Sequence, residues 1–168
     1  MSQKQTGERP VIRCYNKPGI PNDLQARFTA EGLFVADFES GWSLKSSDVP
    51  DKDHRPAAGR TFNRIRTISR EGGIGLIRTP NDDDEIITVG EWKPDCATFR
   101  DVDGIELKGV QMARFGLFVP HDDLYDRLDD VFDRGGQTVD DVPNQEPLIT
   151  EALDTLTQNG RLRTPTYL

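Results

Sequence analysis

Residues 60–92, RTFNRIRTISREGGIGLIRTPNDDDEIITVGEW, decide the fold of this chain. Phe62, Ile65 and Ile68 fall on one arc if successive residues turn by about 100°, so Thr61 to Arg70 reads as an amphipathic helix. Gly72-Gly73 breaks it, because only glycine enters left-handed backbone without steric cost. Ile74 to Arg78 and Glu85 to Glu91 then read as two strands joined by the turn residues Thr79 to Asp84, a β-hairpin.

Working outward, Val11 to Tyr15 is a strand candidate ended by the Asn16-Lys17-Pro18-Gly19 turn. A helix follows, with Asn22 as its N-cap, Leu24 and Phe28 on one face and Gly32 as its stop. Leu33 to Phe38 reads as a buried strand. Gly104 to Met112 and Phe115 to Val119 supply one or two more. Leu124, Leu128, Val131 and Phe132 mark a helix opened by Asp122 and Asp123 and closed by Gly135-Gly136. Ile149, Ala152, Leu153 and Leu156 mark a second, ended by Asn159-Gly160. Strands early and helices late predict an α+β fold: one domain over 1–168, with a mixed or antiparallel sheet of about five strands and two C-terminal amphipathic helices. Residues 39–59, rich in Ser, Asp, Lys and Pro, read as a long surface loop, and 1–10 and 161–168 as polar tails.

The apolar runs fall far short of the roughly 20 residues a spanning helix needs. Residues 1–10 lack the apolar centre of a signal peptide, so the expected location is the cytoplasm or an assembled particle, with no membrane insertion. Cys14 and Cys96 lack metal or redox spacing and read as reduced thiols; with only two histidines, His54 and His121, a histidine-rich metal site is excluded and no cofactor is implied. Residues 1–80 carry 13 basic and 9 acidic side chains, whereas 81–168 carry 8 and 20. Such a split suits a polyanion ligand, contact with charged neighbours, or pairing between the halves.

Three functional readings follow. Opposite charges in the two halves, the long polar segment and the tails point to a non-catalytic structural or interaction protein. It would be one subunit of a larger assembly such as a virus particle, with self or other protein subunits as partners. Its expected contacts are Trp42, the arginine helix, Leu162, Tyr167 and Leu168. The alternative is a nucleic-acid-binding domain, because segment 55–78 holds six arginines against one acid, Glu71. Arg60, Arg64, Arg66 and Arg70 would donate paired hydrogen bonds to phosphates. The third starts from Pro80 to Lys93, where an acidic turn leads into a strand ending Glu91-Trp92-Lys93. That order resembles the carboxylate and Glu-x-Lys signature of restriction-type nucleases, and the resemblance implies that Asp82 or Asp84 and Glu91 would hold a divalent metal while Lys93 neutralises developing charge. An acidic turn beside a strand end produces the same residues without catalysis.

Overall fold

A computed structural model describes residues 9–16, 20–36, 56–79, 86–102, 104–132 and 138–165, without side chains at 56–60, 105 and 106. Within the described residues the deciding stretch folds as its pattern predicts, the expected turn over 80–84 lying outside them. Helix α2 spans Pro56–Glu71, strand β3 Gly73–Arg78 and strand β4 Ile87–Trp92, and the strands pair antiparallel. Phe62, Ile65 and Ile68 are fully buried. Gly72 takes the positive φ of 76° that ends the helix, and its N–H reaches the Ile68 carbonyl at 2.8 Å. Because α2 starts at Pro56, residues 56–59 are helical and do not belong to the surface loop expected over 39–59; the rest of that segment up to 55 lies outside the described residues.

The remaining elements are β1 (Val11–Tyr15), α1 (Asn22–Ala30), β2 (Leu33–Ala36), β5 (Ala97–Val102), β6 (Ile105–Gln111), β7 (Arg114–Phe118), α3 (Tyr125–Asp130), β8 (Val139–Asp141) and α4 (Glu146–Gln158). The fold is α+β, as expected, but its strands form two sheets. A mixed five-stranded sheet runs β7-β4-β3-β1-β8, with β1 and β3 parallel, and a three-stranded sheet runs β2-β6-β5. Strands β5 and β8 were not read from the sequence. Asn22 is the first helical residue of α1, with Pro21 at the cap position and no side-chain cap. Nor does Asp122 cap α3, whose cap position is Leu124 without a side-chain cap; its Oδ2 instead accepts the Val119 N–H at 2.8 Å within the preceding turn.

Alternation along the strands assigns each face of the sheets. On β3, Ile74 and Leu76 join a core with Ile149, Ala152 and Leu156 of α4 and Leu128 of α3. Ile77 points the other way, where Ile12 and Cys14 of β1, Phe34 of β2, Val110 of β6 and the apolar arc of α2 form a second core. Helix α2 therefore lies over one face of the large sheet and also meets the small one, whose other face is covered by Phe28 of α1 against Leu33, Val35 and Leu107. A buried polar bridge crosses between the sheets. Asn16 donates to the Thr29 hydroxyl at 2.6 Å and accepts the Val35 N–H at 3.0 Å, while the Thr88 hydroxyl donates to the Thr29 carbonyl. Each of these buried groups is hydrogen-bonded, which avoids the cost of burial without a partner.

Candidate functional site

The arginines that set the nucleic-acid reading are placed unequally. Arg64 reaches from α2 around the edge of the large sheet to β8. It donates to the Val139 carbonyl at 2.6 Å and to Asp141 at 3.2 Å, and lies 3.5 Å from Asp140. Arg13 approaches the same Asp140 carboxylate from β1. Its side chain is only 3% exposed, so the ion pair is nearly dry on the arginine side. The Arg13 guanidinium also lies 5.5 Å from the Tyr15 ring centre and 5.9 Å from that of Phe132. Arg78, at the end of β3, approaches Phe132 from 5.9 Å and pairs with Asp129 of α3. Tyr15 ties this group together by donating to the Phe132 carbonyl at 2.9 Å. Arg66 lies over the Phe62 ring at 5.6 Å and donates to Asn63 at 3.1 Å, Arg70 is exposed, and the Arg60 side chain is outside the described residues.

Of the residues in the nuclease reading, only Glu91 and Lys93 are among the described residues. Asp82 and Asp84 lie outside the described residues. Glu91 is clamped by Arg114, whose Nε and a terminal nitrogen reach one carboxylate oxygen at 3.1 and 2.8 Å, with Arg9 at 4.0 Å. Lys93 is exposed two residues further on. Among the described residues no three His, Cys, Asp or Glu side chains are grouped to hold a metal ion. Both described thiols are free: burial raises Cys14 far above the usual thiol range, and burial also pushes Cys96 up to about 12.

Among the expected contact residues, Trp42, Tyr167 and Leu168 lie outside the described set, and Leu162 is half-buried against the α3–α4 core. Sequence reasoning missed the edge of the small sheet. Strand β5 ends that sheet, and among the described residues no strand pairs with its outer side. It carries Phe99, 44% exposed and one of two large apolar side chains left open among the described residues, the other being Val119. The signal was present in Ala97-Thr98-Phe99-Arg100-Asp101-Val102, a run without glycine or proline. An open depression of about 620 Å³ lies along α4, lined partly by Glu146, Glu151 and Asp154. Arg9 already holds Glu146, and Arg127 holds Glu151.

No protein-family model matches the chain, and comparisons with curated proteins and with solved structures find no match. No described helix is long and apolar enough to cross a membrane.

Proposed function

We propose that the chain is a non-catalytic interaction protein, a subunit of a larger assembly such as a virus particle, and that it makes contact through the β5 edge. One observation carries this reading: an edge strand with no strand on its outer side among the described residues and an exposed Phe99, although the Phe99 carbonyl accepts from Arg100 at 2.8 Å. Open edges with apolar side chains are templates for strand addition, in which backbone hydrogen bonds give affinity and alternate side chains give register. A second copy suits the edge. Pairing two β5 strands antiparallel about Phe99 sets Phe99 against Phe99 and Thr98 against Arg100, with every pair on a common face.

The internal pairing of Arg64 and Arg78 supports this reading over phosphate binding, since both guanidinium groups already meet carboxylates of the C-terminal half. The test is absolute mass by size-exclusion chromatography with light scattering, at low and high salt. The wild-type chain is expected to form an oligomer that persists in high salt, and Phe99→Asp is expected to return it to monomer. A wild-type monomer at every concentration and salt would reject the β5 contact. DNA binding that falls log-linearly with salt, with a slope reduced by Arg66→Ala and Arg70→Ala, would favour the nucleic-acid reading instead.

A further inference from the structure

The large sheet also ends in an edge, β7, and its treatment is the opposite of that of β5. After α4, Gly160 takes a φ of 67° and turns the chain back over the sheet. The Arg161 N–H returns to the Leu156 carbonyl at 2.8 Å, and the chain then runs along β7. Arg163 exchanges both backbone hydrogen bonds with Phe115, at 3.0 and 2.7 Å, forming an isolated bridge. Arg161 donates to the Leu117 carbonyl at 2.5 Å and to Asp122 at 3.2 and 3.3 Å, and stands over the Phe118 ring at 5.4 Å. Leu162 packs against the α3–α4 core. Three of the backbone groups that β7 turns outward are thus covered by Arg161 and Arg163.

We propose that Arg161–Arg163 is a releasable strap that keeps the β7 edge closed, and that detaching it lets β7 pair with a second copy of the chain. The strap is held by the Phe115–Arg163 bridge, by the half-buried Leu162, and by Arg161, whose N–H reaches Leu156 and whose guanidinium meets Leu117, Asp122 and Phe118. None of its three residues is buried, and surface segments without a buried side chain open locally, without global unfolding. Strand β7 is self-complementary once bare. Its outward groups belong to Phe115 and Leu117, symmetric about Gly116, so two β7 strands meeting antiparallel at Gly116 set Phe115 against Leu117, with side chains on matching faces. Closing β7 would remove one edge that competes with β5, through which the proposed assembly grows, and to that extent the inference rests on the preceding reading.

The first test is native-state hydrogen exchange on the wild-type chain. The amides of Phe115 and Arg163 are expected to exchange together, and on the order of 100-fold faster than that of Leu76 in the central strand β3. Exchange of Phe115 at the rate of Leu76 would overturn the strap. The second test uses Arg161→Ala in a Phe99→Asp background, which separates β7 pairing from β5 pairing. The double variant is expected to show Phe115 exchange about 10-fold faster than the Phe99→Asp parent. It should also form dimers that the parent does not form. A detached strap on a chain that stays monomeric would overturn the pairing. If Arg161→Ala prevents folding, the wild-type exchange pattern still decides whether the strap opens. Loss of β5 association alone would leave both strap results unchanged.

Discussion

Removing the Asp140 carboxylate tests the arginine network most directly. Asp140 receives Arg13 from β1 and stands 3.5 Å from Arg64 of α2, so one carboxylate neutralises guanidinium groups reaching it from different layers. Arg13 is 3% exposed and Asp140 23%. Breaking a buried pair from one side costs about 3–5 kcal/mol, because the remaining charge stays in a poorly solvated place. Water reaches Asp140, so Asp140→Ala is expected near the lower end, about 3 kcal/mol. For a chain of this size that lowers the melting temperature by about 6–12 °C. Urea unfolding followed by circular dichroism, with fluorescence of the buried Trp92 contributing a second signal, measures it. Arg13→Met replaces the guanidinium with an apolar side chain, and combined with Asp140→Val it should recover stability to within about 1 kcal/mol of wild type. If Asp140→Ala costs less than about 1 kcal/mol, or if the two single losses simply add, the pair is not a desolvated one and the reasoning fails.

Other positions give sharper contrasts. A Cβ at Gly75 would collide with the Ile12 carbonyl, which cannot rotate away, whereas one at Gly116 would meet the Leu156 side chain at 2.5 Å. Gly116→Ala is expected to cost about 1–3 kcal/mol and Gly75→Ala more, by parting β1 from β3; equal losses in denaturant melts would contradict this. Native Cys14 should resist thiol reagents until global unfolding, while the half-buried Cys96 is labelled earlier; timed alkylation with mass analysis separates the two. Burial raises the pKa of Asp122, but the Val119 N–H, the Arg161 guanidinium and His121 outweigh it and hold the carboxyl below its ordinary range. Its contribution is therefore complete above an unfolded pKa of about 3.9 and is lost as pH falls through the lower folded value. Phe115 exchange, corrected for intrinsic rates, should quicken below about pH 4, and Asp122→Asn should abolish that dependence.

What the sequence made legible follows the range of the interactions involved. Phe62, Ile65 and Ile68 announce α2 because a helix is patterned by neighbours three and four residues apart, and Gly72 ends it by backbone chemistry alone. The α4 arc Ile149, Ala152, Leu156 was readable for the same reason. Strand β8 was not: Val139-Asp140-Asp141 has poor strand propensity, and two arginines distant in sequence, Arg13 and Arg64, meet its carboxylates. Strand β5 was hidden by its place at an edge, where Phe99 and Asp101 are exposed, the other side chains are only partly buried, and no clear apolar alternation results. The division into two sheets depends on which strands meet, and no local pattern carries that. Of the contact residues expected from the sequence, Leu162 is half-buried against the α3–α4 core, while the exposed Phe99 was not singled out.

The uneven charge of the chain takes on a different meaning once the pairs are placed. A basic first half and an acidic second half look like two surfaces waiting for partners. Yet Arg13, Arg64 and Arg78 come from the first, and Asp140, Asp141 and Asp129 from the second. These contacts join β1, α2 and β3 to β8 and α3, elements that sequence distance keeps far apart. Such pairs supply modest net stability, because desolvation offsets much of the attraction. Their geometric demand is stricter, since guanidinium and carboxylate must meet in a defined orientation. A slip of β8 by one residue would turn Asp140 away from Arg13 and, in one direction, set Val139 opposite it, or in the other set Asp141 there and take that carboxylate from Arg64. The charge asymmetry therefore acts as a register key for the short edge strand β8, whose three residues contain too little apolar surface to fix their own place.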